Sequence, residues 1–184
     1  MDREKRWIKQ IQNNACESAA NELVSKYYKE MYAFSYKQTL DQDLSFDLTQ
    51  EIFISALQSI HTYDQKKALF RTWLYRLASN KIVDYYRSKS FRYTQMARQI
   101  DDYEIMDEFD MVISLEYKED VEKVIAIVNQ LESSAQQIIR LKLFGEYTLK
   151  EIAMMESIPL STVKTRYYSS LKRIRTEMEE RNGE

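Results

Sequence analysis

Two glycines and one proline in 184 residues constrain this chain more than any other feature. Sheets depend on tight turns, and tight turns rely on glycine for positive φ and on proline for fixed φ. A chain this poor in both has little means of reversing direction between strands, so the expected class is all-α. The apolar positions agree. Leu23, Tyr27, Met31 and Phe34 recur at helical spacing within an expected helix Ala19–Leu40, and a shorter one covers Trp7 to Ile11. Leu48, Ile52, Phe53, Ala56, Leu57 and Ile60 form one side of a helix Ser45–Ile60. After a polar loop, Thr62–Ala68, the helix Phe70–Ser90 carries Phe70, Trp73, Leu74, Leu77 and Ile82 as core positions. Beyond it the pattern predicts Glu119–Leu131, then Ala135–Phe144, opened by a capping-box pair, Ser134 and Gln137, and closed by Gly145.

Charge divides the chain. Residues 1–90 hold 14 Lys/Arg and 11 Asp/Glu, residues 91–120 hold 3 and 9, and residues 121–184 hold 10 and 9. The net charge of −2 therefore hides two mildly basic ends behind an acidic middle, and a nucleic-acid partner stays open. Asp101 to Asp110 packs six carboxylates into ten residues, a density that repels itself and disfavours a compact core. The expected architecture is two small helical domains, residues 1–92 and 119–184, joined by an acidic linker over residues 93–118.

The C-terminal unit contains a helix–turn–helix pattern. Thr148 and Glu151 have capping-box spacing and open a helix. Glu156-Ser157-Ile158-Pro159 ends it, because proline lacks a backbone donor and restricts the residue before it. Ser161 then caps a second helix. At 100° per residue, Val163, Tyr167, Ser170, Leu171 and Ile174 share its buried side. Ser161, Thr165, Tyr168, Ser169 and Lys172 share the opposite side, as groups able to reach base edges in a major groove. Thr162 lies in the same first turn, and Lys164, Arg166, Arg173 and Arg175 flank the stripe where phosphates would lie. From Pro159 to Arg175 there are five basic residues and no acidic one. A merely solvated basic helix would not require the capped helix and proline turn before it.

Two constellations stand out in the N-terminal unit. Asp47, Gln50 and Glu51 sit at i, i+3 and i+4 opposite the apolar side of their helix. By themselves they read as helix-start acids favoured by the dipole, or as a docking surface for a basic partner. On the helix Phe70–Ser90, Arg76, Asn80, Asp84 and Arg87 form a polar stripe, with Asp84 expected to pair with Arg76 or Arg87. Between Asp64 and Lys89 seven basic residues face two acidic ones, interleaved with Tyr63, Phe70, Trp73, Tyr75, Tyr85 and Tyr86. Cations mixed with rings suit single-stranded nucleic acid, although most of these rings are expected in the core.

Other classes find little support. One cysteine, Cys16, and one histidine, His61, argue against a disulfide, a metal site or a cofactor site. No nucleophile–base pair or phosphate loop points to an enzyme. The opening Met-Asp-Arg-Glu-Lys-Arg leads into no signal-type apolar stretch and no run approaches a membrane span, so the expected location is the cytoplasm.

Together these motifs resemble the sigma-70 family of bacterial RNA polymerase initiation factors, in its short extracytoplasmic-function group, over nearly the whole chain. Asp47-Leu-Thr-Gln-Glu-Ile-Phe-Ile-Ser-Ala-Leu57 is similar to the family's polymerase-docking helix, Phe70–Arg87 to its −10 melting and recognition helix, and Leu131–Arg175 to its −35 reading domain. The resemblance implies a sigma factor without catalysis that binds core RNA polymerase and promoter DNA and answers to an anti-sigma factor, often membrane-bound. It assigns Asp47, Gln50 and Glu51 to the polymerase. To −10 DNA it assigns Tyr63, Asp64, Lys66, Lys67, Arg71, Trp73, Arg76, Asn80 and Arg87, with the loop Tyr63–Ala68 as the place where a flipped base is captured. To −35 DNA it assigns Ser161, Thr162, Lys164, Thr165, Arg166, Tyr168, Ser169, Lys172 and Arg173. The linker would thread toward the polymerase channels. Ser157 stands where the family's turn usually has glycine, so a distorted turn is expected there. The competing readings are a stand-alone helix–turn–helix regulator with a sensing N-terminal domain and a helical protein adaptor.

Overall fold

The structure, a computed structural model, describes residues 3–88 and 115–182, with side chains of 3–88 and 120–180. Most of the acidic linker thus falls outside the described residues. Within them every regular element is helical, as the scarcity of turn formers requires. The order is α1 (Arg3–Asn14), α2 (Glu17–Thr39), α3 (Gln42–Ser59), a 3₁₀ turn (Ile60–Thr62), α4 (Phe70–Arg87), α5 (Leu115–Asn129), α6 (Ser133–Leu143), α7 (Leu149–Glu156) and α8 (Leu160–Asn182).

Helix α2 buries Ala19, Leu23, Tyr27, Met31, Phe34 and Gln38, a continuous stripe, and packs on α1, α3 and α4. Helix α3 starts three residues before the expected Ser45, because Asp41 accepts a hydrogen bond from the Leu44 N–H (2.8 Å) and caps it. Helix α4 buries Phe70, Leu74, Ala78 and Ile82 against this bundle. In the C-terminal unit, Ile127, Val128, Leu131, Ile139 and Ile174 form a small core of their own. The main core does not stop at the linker, however. It continues from α4 into Ile138, Leu141, Tyr147, Ile152 and Val163.

Scarce glycine leaves a visible trace. Among the described residues, four that are not glycine adopt positive φ: Ala15, Leu40, Glu146 and Ser157. Each costs on the order of 1 kcal/mol that glycine would avoid. Gly145 is not the left-handed residue after α6; Glu146 is, at φ 61°. Gly145 is needed for space instead, since a Cβ there would lie 2.9 Å from the Leu141 carbonyl and 3.0 Å from the Tyr147 ring. The expected Ser134–Gln137 capping box is also absent. Helix α6 is preceded by Glu132 without a side-chain cap, Ser134 donates to the Glu132 carboxylate, and Gln137 points at α4.

Candidate nucleic-acid interface

The helix–turn–helix is built by local chemistry. Thr148 Oγ1 accepts from the Glu151 N–H (3.2 Å) while Glu151 Oε2 accepts from the Thr148 N–H (2.8 Å), the reciprocal box that starts α7. Hydrogen bonds from the Thr148 backbone and hydroxyl hold the Glu151 carboxyl below the usual carboxylate range. Ser157 ends α7 in the left-handed region, φ 56° and ψ 41°, and Ile158 N–H donates to the Ala153 carbonyl (3.1 Å). Serine thus takes the conformation glycine usually supplies, and the turn keeps regular helix-end bonds rather than the expected distortion. Helix α8 opens two residues earlier than a Ser161 cap would set it. Val163 N–H donates to the Pro159 carbonyl (3.1 Å), and Ser161 sits inside the first turn.

Helix α8 divides its faces as the periodicity requires. Val163, Ser170 and Ile174 are buried, and Tyr167 and Leu171 half-buried. Ser161, Thr165, Tyr168, Ser169 and Lys172 are all exposed, as are Lys164 and Arg173, with Thr162 and Arg166 half-exposed. Thr165 and Ser169 use their hydroxyls on the helix backbone (Ser161 O and Arg166 O, each 3.0 Å), which leaves lone pairs outward.

On α4, Arg76, Asn80, Asp84 and Arg87 are exposed along one stripe. Asp84 pairs with neither arginine; Arg76 reaches Glu156 at the end of α7 instead (3.4 Å). Trp73, Arg76 and Asn80 line a cleft of about 260 Å³ with Ser59, Thr62 and Asp84. That is below the roughly 300–1,000 Å³ of small-molecule pockets. The loop before α4 is internally braced. Tyr63 is buried, its ring packed on Phe70 and Trp73 (5.4 and 5.6 Å), and its hydroxyl donates to the Ala68 carbonyl (3.0 Å). It shapes the loop rather than offering a free ring. Asp64 Oδ1 accepts from the Lys66 N–H (2.9 Å), leaving the Lys66 and Lys67 side chains in solvent. Arg71 is engaged: it donates to Glu30 (2.6 Å) and lies over the Tyr75 ring (4.6 Å). Partial burial works against its charge, but the Glu30 bond holds its pKa above the usual value.

On α3, Asp47, Gln50 and Glu51 are exposed together, and Glu51 lies 3.9 Å from Lys81 of α4. Sequence reasoning missed their neighbours Phe46 and Ile54, 48% and 54% exposed. Both lie off the α3 apolar stripe at i and i+8 around Gln50, a signal readable from spacing. It also missed Gln12 of α1, whose amide donates to the Ile60 and Tyr63 carbonyls (2.8 and 3.0 Å) and anchors the loop's start. Among the described residues no helix is long and apolar enough to cross a membrane, and no group of His, Cys, Asp or Glu is arranged to hold a metal.

Comparison with known proteins places this geometry. Residues 23–92 match the model of sigma-70 region 2, and residues 122–174 match that of sigma-70 region 4. The chain is 30% identical over 185 residues to the ECF RNA polymerase sigma factor SigW of Bacillus subtilis (strain 168), covering 95% of this chain and 96% of that one. It is 27% identical to SigX of the same organism, over 85% and 82% of the two chains. Its fold is similar to that of CnrH, solved in complex with the cytosolic domain of CnrY (TM-score 0.60, 16% identity, 97% and 98% covered). It is also similar to that of the sigma factor RpoE solved with the anti-sigma factor NepR from Bartonella quintana (TM-score 0.55, 16% identity, 86% and 96% covered). A region 2 match on the N-terminal unit does not favour a stand-alone regulator. The chain belongs to the extracytoplasmic-function group of the sigma-70 family of RNA polymerase sigma factors.

Proposed function

We propose that this protein binds bacterial core RNA polymerase, carries it to promoters read at −35 and −10, and helps open the DNA, with no reaction of its own. The observation that carries this reading is the outward stripe of α8, where five exposed side chains stand between cations on a properly capped helix–turn–helix. In this reading Ser161, Thr165, Tyr168, Ser169 and Lys172 meet −35 base edges. Thr162, Lys164, Arg166 and Arg173 hold the phosphates.

The N-terminal unit, residues 1–92, supplies docking and melting. The cleft beside α4 takes an unstacked −10 base against Trp73, with Asn80 as an edge-reading amide and Lys66, Lys67, Arg76 and Arg87 on the backbone. Stacking contributes roughly 1–3 kcal/mol per base, comparable to the cost of unpairing it. Tyr63, Asp64 and Arg71 shape the loop and the helix start. Asp47, Gln50 and Glu51 of α3, with Phe46 and Ile54, form the polymerase-docking face. Residues 93–118 link this unit to the −35 unit, residues 119–184. The protein works in the cytoplasm, and an anti-sigma factor controls it, as NepR pairs with RpoE in the similar structure.

Run-off transcription tests the reading. Purified core polymerase and this protein are mixed with templates randomised upstream of a fixed start. The expected result is discrete new transcripts whose templates share two upstream elements. No new transcripts, with tight duplex binding by the protein alone, would refute it.

A further inference from the structure

One side of the cleft is α4. The other is Ser59, at the end of α3, and Thr62, in the 3₁₀ turn Ile60–Thr62. That turn is clamped by α1. The Gln12 amide donates to the Ile60 carbonyl (2.8 Å) and to the Tyr63 carbonyl (3.0 Å), 48 and 51 positions away. Both partners are carbonyls, so the nitrogen end of the amide must face them. The two acceptors bracket Thr62. Within the turn, Tyr63 N–H donates to the Ile60 carbonyl (3.1 Å) and the Thr62 hydroxyl to the Ser59 carbonyl (2.7 Å). Tyr63 then leaves the turn in extended backbone, φ −70° and ψ 127°. Its carbonyl thus points away from any helical ladder, and Gln12 supplies a donor for it.

Helix α1 is a firm base for this clamp. Ile8 and Ile11 are buried, and the Glu4 carboxylate accepts from the Tyr27 hydroxyl of α2 (2.7 Å) and pairs with Lys26. The helix stops just past Gln12: Ala15 takes positive φ (48°), and its N–H donates to the Ile11 carbonyl (3.0 Å). Tyr27 and Tyr63 both lie against the Phe70 ring (5.5 and 5.4 Å). Helix α1, the turn and the start of α4 therefore pack through shared rings.

Beyond Tyr63 the loop braces itself. Lys67 N–H donates to the Asp64 carbonyl (3.0 Å), Lys66 N–H to Asp64 Oδ1 (2.9 Å) and the Tyr63 hydroxyl to the Ala68 carbonyl (3.0 Å). These bonds fix the shape of the loop but not where it sits. The Gln12 bonds fix its start against the helices, and with it the distance from Thr62 across to Asn80. A site that reads base edges has to hold its groups within about 0.5 Å. A wall resting on an unpaired turn would drift by more than that.

We propose that Gln12 is a positioning residue for −10 recognition: through the Ile60 and Tyr63 carbonyls it sets the Thr62 wall against Asn80, and so the selectivity of the cleft for the base it holds. That role rests on the −10 reading of the cleft given above. Gln12 acts without touching the base. It also lies outside the stretch that matches region 2, residues 23–92, so the selectivity of that stretch is tuned from a helix before it.

Three full-length variants test it. Gln12→Met keeps length and volume but removes the donor. Gln12→Asn keeps the amide but is one methylene short of the carbonyls. Ile8→Val trims a buried side chain of α1 one turn earlier and leaves the clamp in place. Each is assembled with core polymerase and run on sets of four templates that differ at one base pair, for every −10 and every −35 position of a promoter recovered by run-off transcription. Amide hydrogen exchange over residues 60–68 of the free proteins reads the clamp itself, and circular dichroism reports helix content. With helix content intact, Gln12→Met and Gln12→Asn should lose preference at one −10 position by about tenfold, keep preference at every −35 position and exchange faster over residues 60–68. Ile8→Val should match the wild type in all three. Full −10 preference in both Gln12 variants, an equal loss at −10 and −35, or the same loss in Ile8→Val would overturn the proposal. A wild-type holoenzyme without preference at any −10 position would instead refute the −10 reading, and hydrogen exchange would still decide whether Gln12 holds the turn.

Discussion

On α8 the outward side chains stand in solvent, and Arg173 and Arg175 pair with neighbours on the same helix, Glu177 (2.6 Å) and Glu179 (2.8 Å). On α4 two cations are held by other elements: Arg71 by Glu30 of α2 and Tyr147 after α6, Arg76 by Glu156 of α7. Exposed pairs one turn apart are screened by solvent and yield readily to a phosphate. The difference teaches that cations on two outward helix faces can be held locally or across elements: Arg173 and Arg175 of α8 have same-helix pairs to break, while Arg71 and Arg76 of α4 are tied to side chains of other elements.

The largest effect expected on that comparison erases it. Asp47→Lys with Glu51→Lys reverses charge on the docking face and should weaken core-polymerase binding by at least about tenfold. Both DNA helices then fall silent together in transcription. Thermal unfolding should hardly move, since substitutions at such exposed positions stay within about 0.5 kcal/mol. Unchanged affinity for the core would remove α3 from the account.

Next in size, Asn80→Ala should separate the two helices from the α4 side. Loss of an edge-reading amide costs about 1–3 kcal/mol of discrimination, so preference at one −10 position should collapse while −35 preference stays. Lys172→Ala is the counterpart on α8. Preference at one −35 position should relax, with a loss of about 1–3 kcal/mol of discrimination, while −10 preference stays. Unchanged −35 discrimination would place Lys172 away from the base edges.

The smallest effect concerns how α8 is set in place. Thr148→Ala removes half of the capping box and should lower stability by about 1 kcal/mol, seen as a drop in melting temperature. The Glu151 carboxyl is depressed in the folded state, so its contribution is complete above the ordinary carboxylate pKa and is lost as pH falls through the lower folded value. The gap between wild type and Thr148→Ala should therefore be constant near neutrality and narrow below about pH 4. A gap that persists in acid would mean that Glu151 is not the partner.

Where local chemistry decides, the sequence was readable. Helix class followed from missing turn formers. The α8 faces followed from a 100° step, and the α7 start from Thr148 and Glu151, because a capping box closes within four residues. Readings failed where a distant element outcompeted a local one. Gln137 was expected to cap α6 but hydrogen-bonds Ser79, 58 positions away. Arg76 or Arg87 was expected to neutralise Asp84, yet Arg76 goes to Glu156. Arg140 is fully buried and donates to Gln38 and Asn129. It did leave a trace, a lone cation within Ile138-Ile139-Arg140-Leu141, but nothing in the spacing named those partners.

The division of labour between α4 and α8 is tested most directly by a crossed transcription matrix. Wild type, Asn80→Ala and Lys172→Ala holoenzymes are each run on an intact promoter and on promoters mutated at −10 or at −35. Coupled partners give non-additive losses and independent sites give additive ones. The account predicts that the Asn80→Ala penalty vanishes on the −10 mutant and persists on the −35 mutant, with the reverse for Lys172→Ala. Penalties that add on every template, or that vanish on the opposite element, would contradict it.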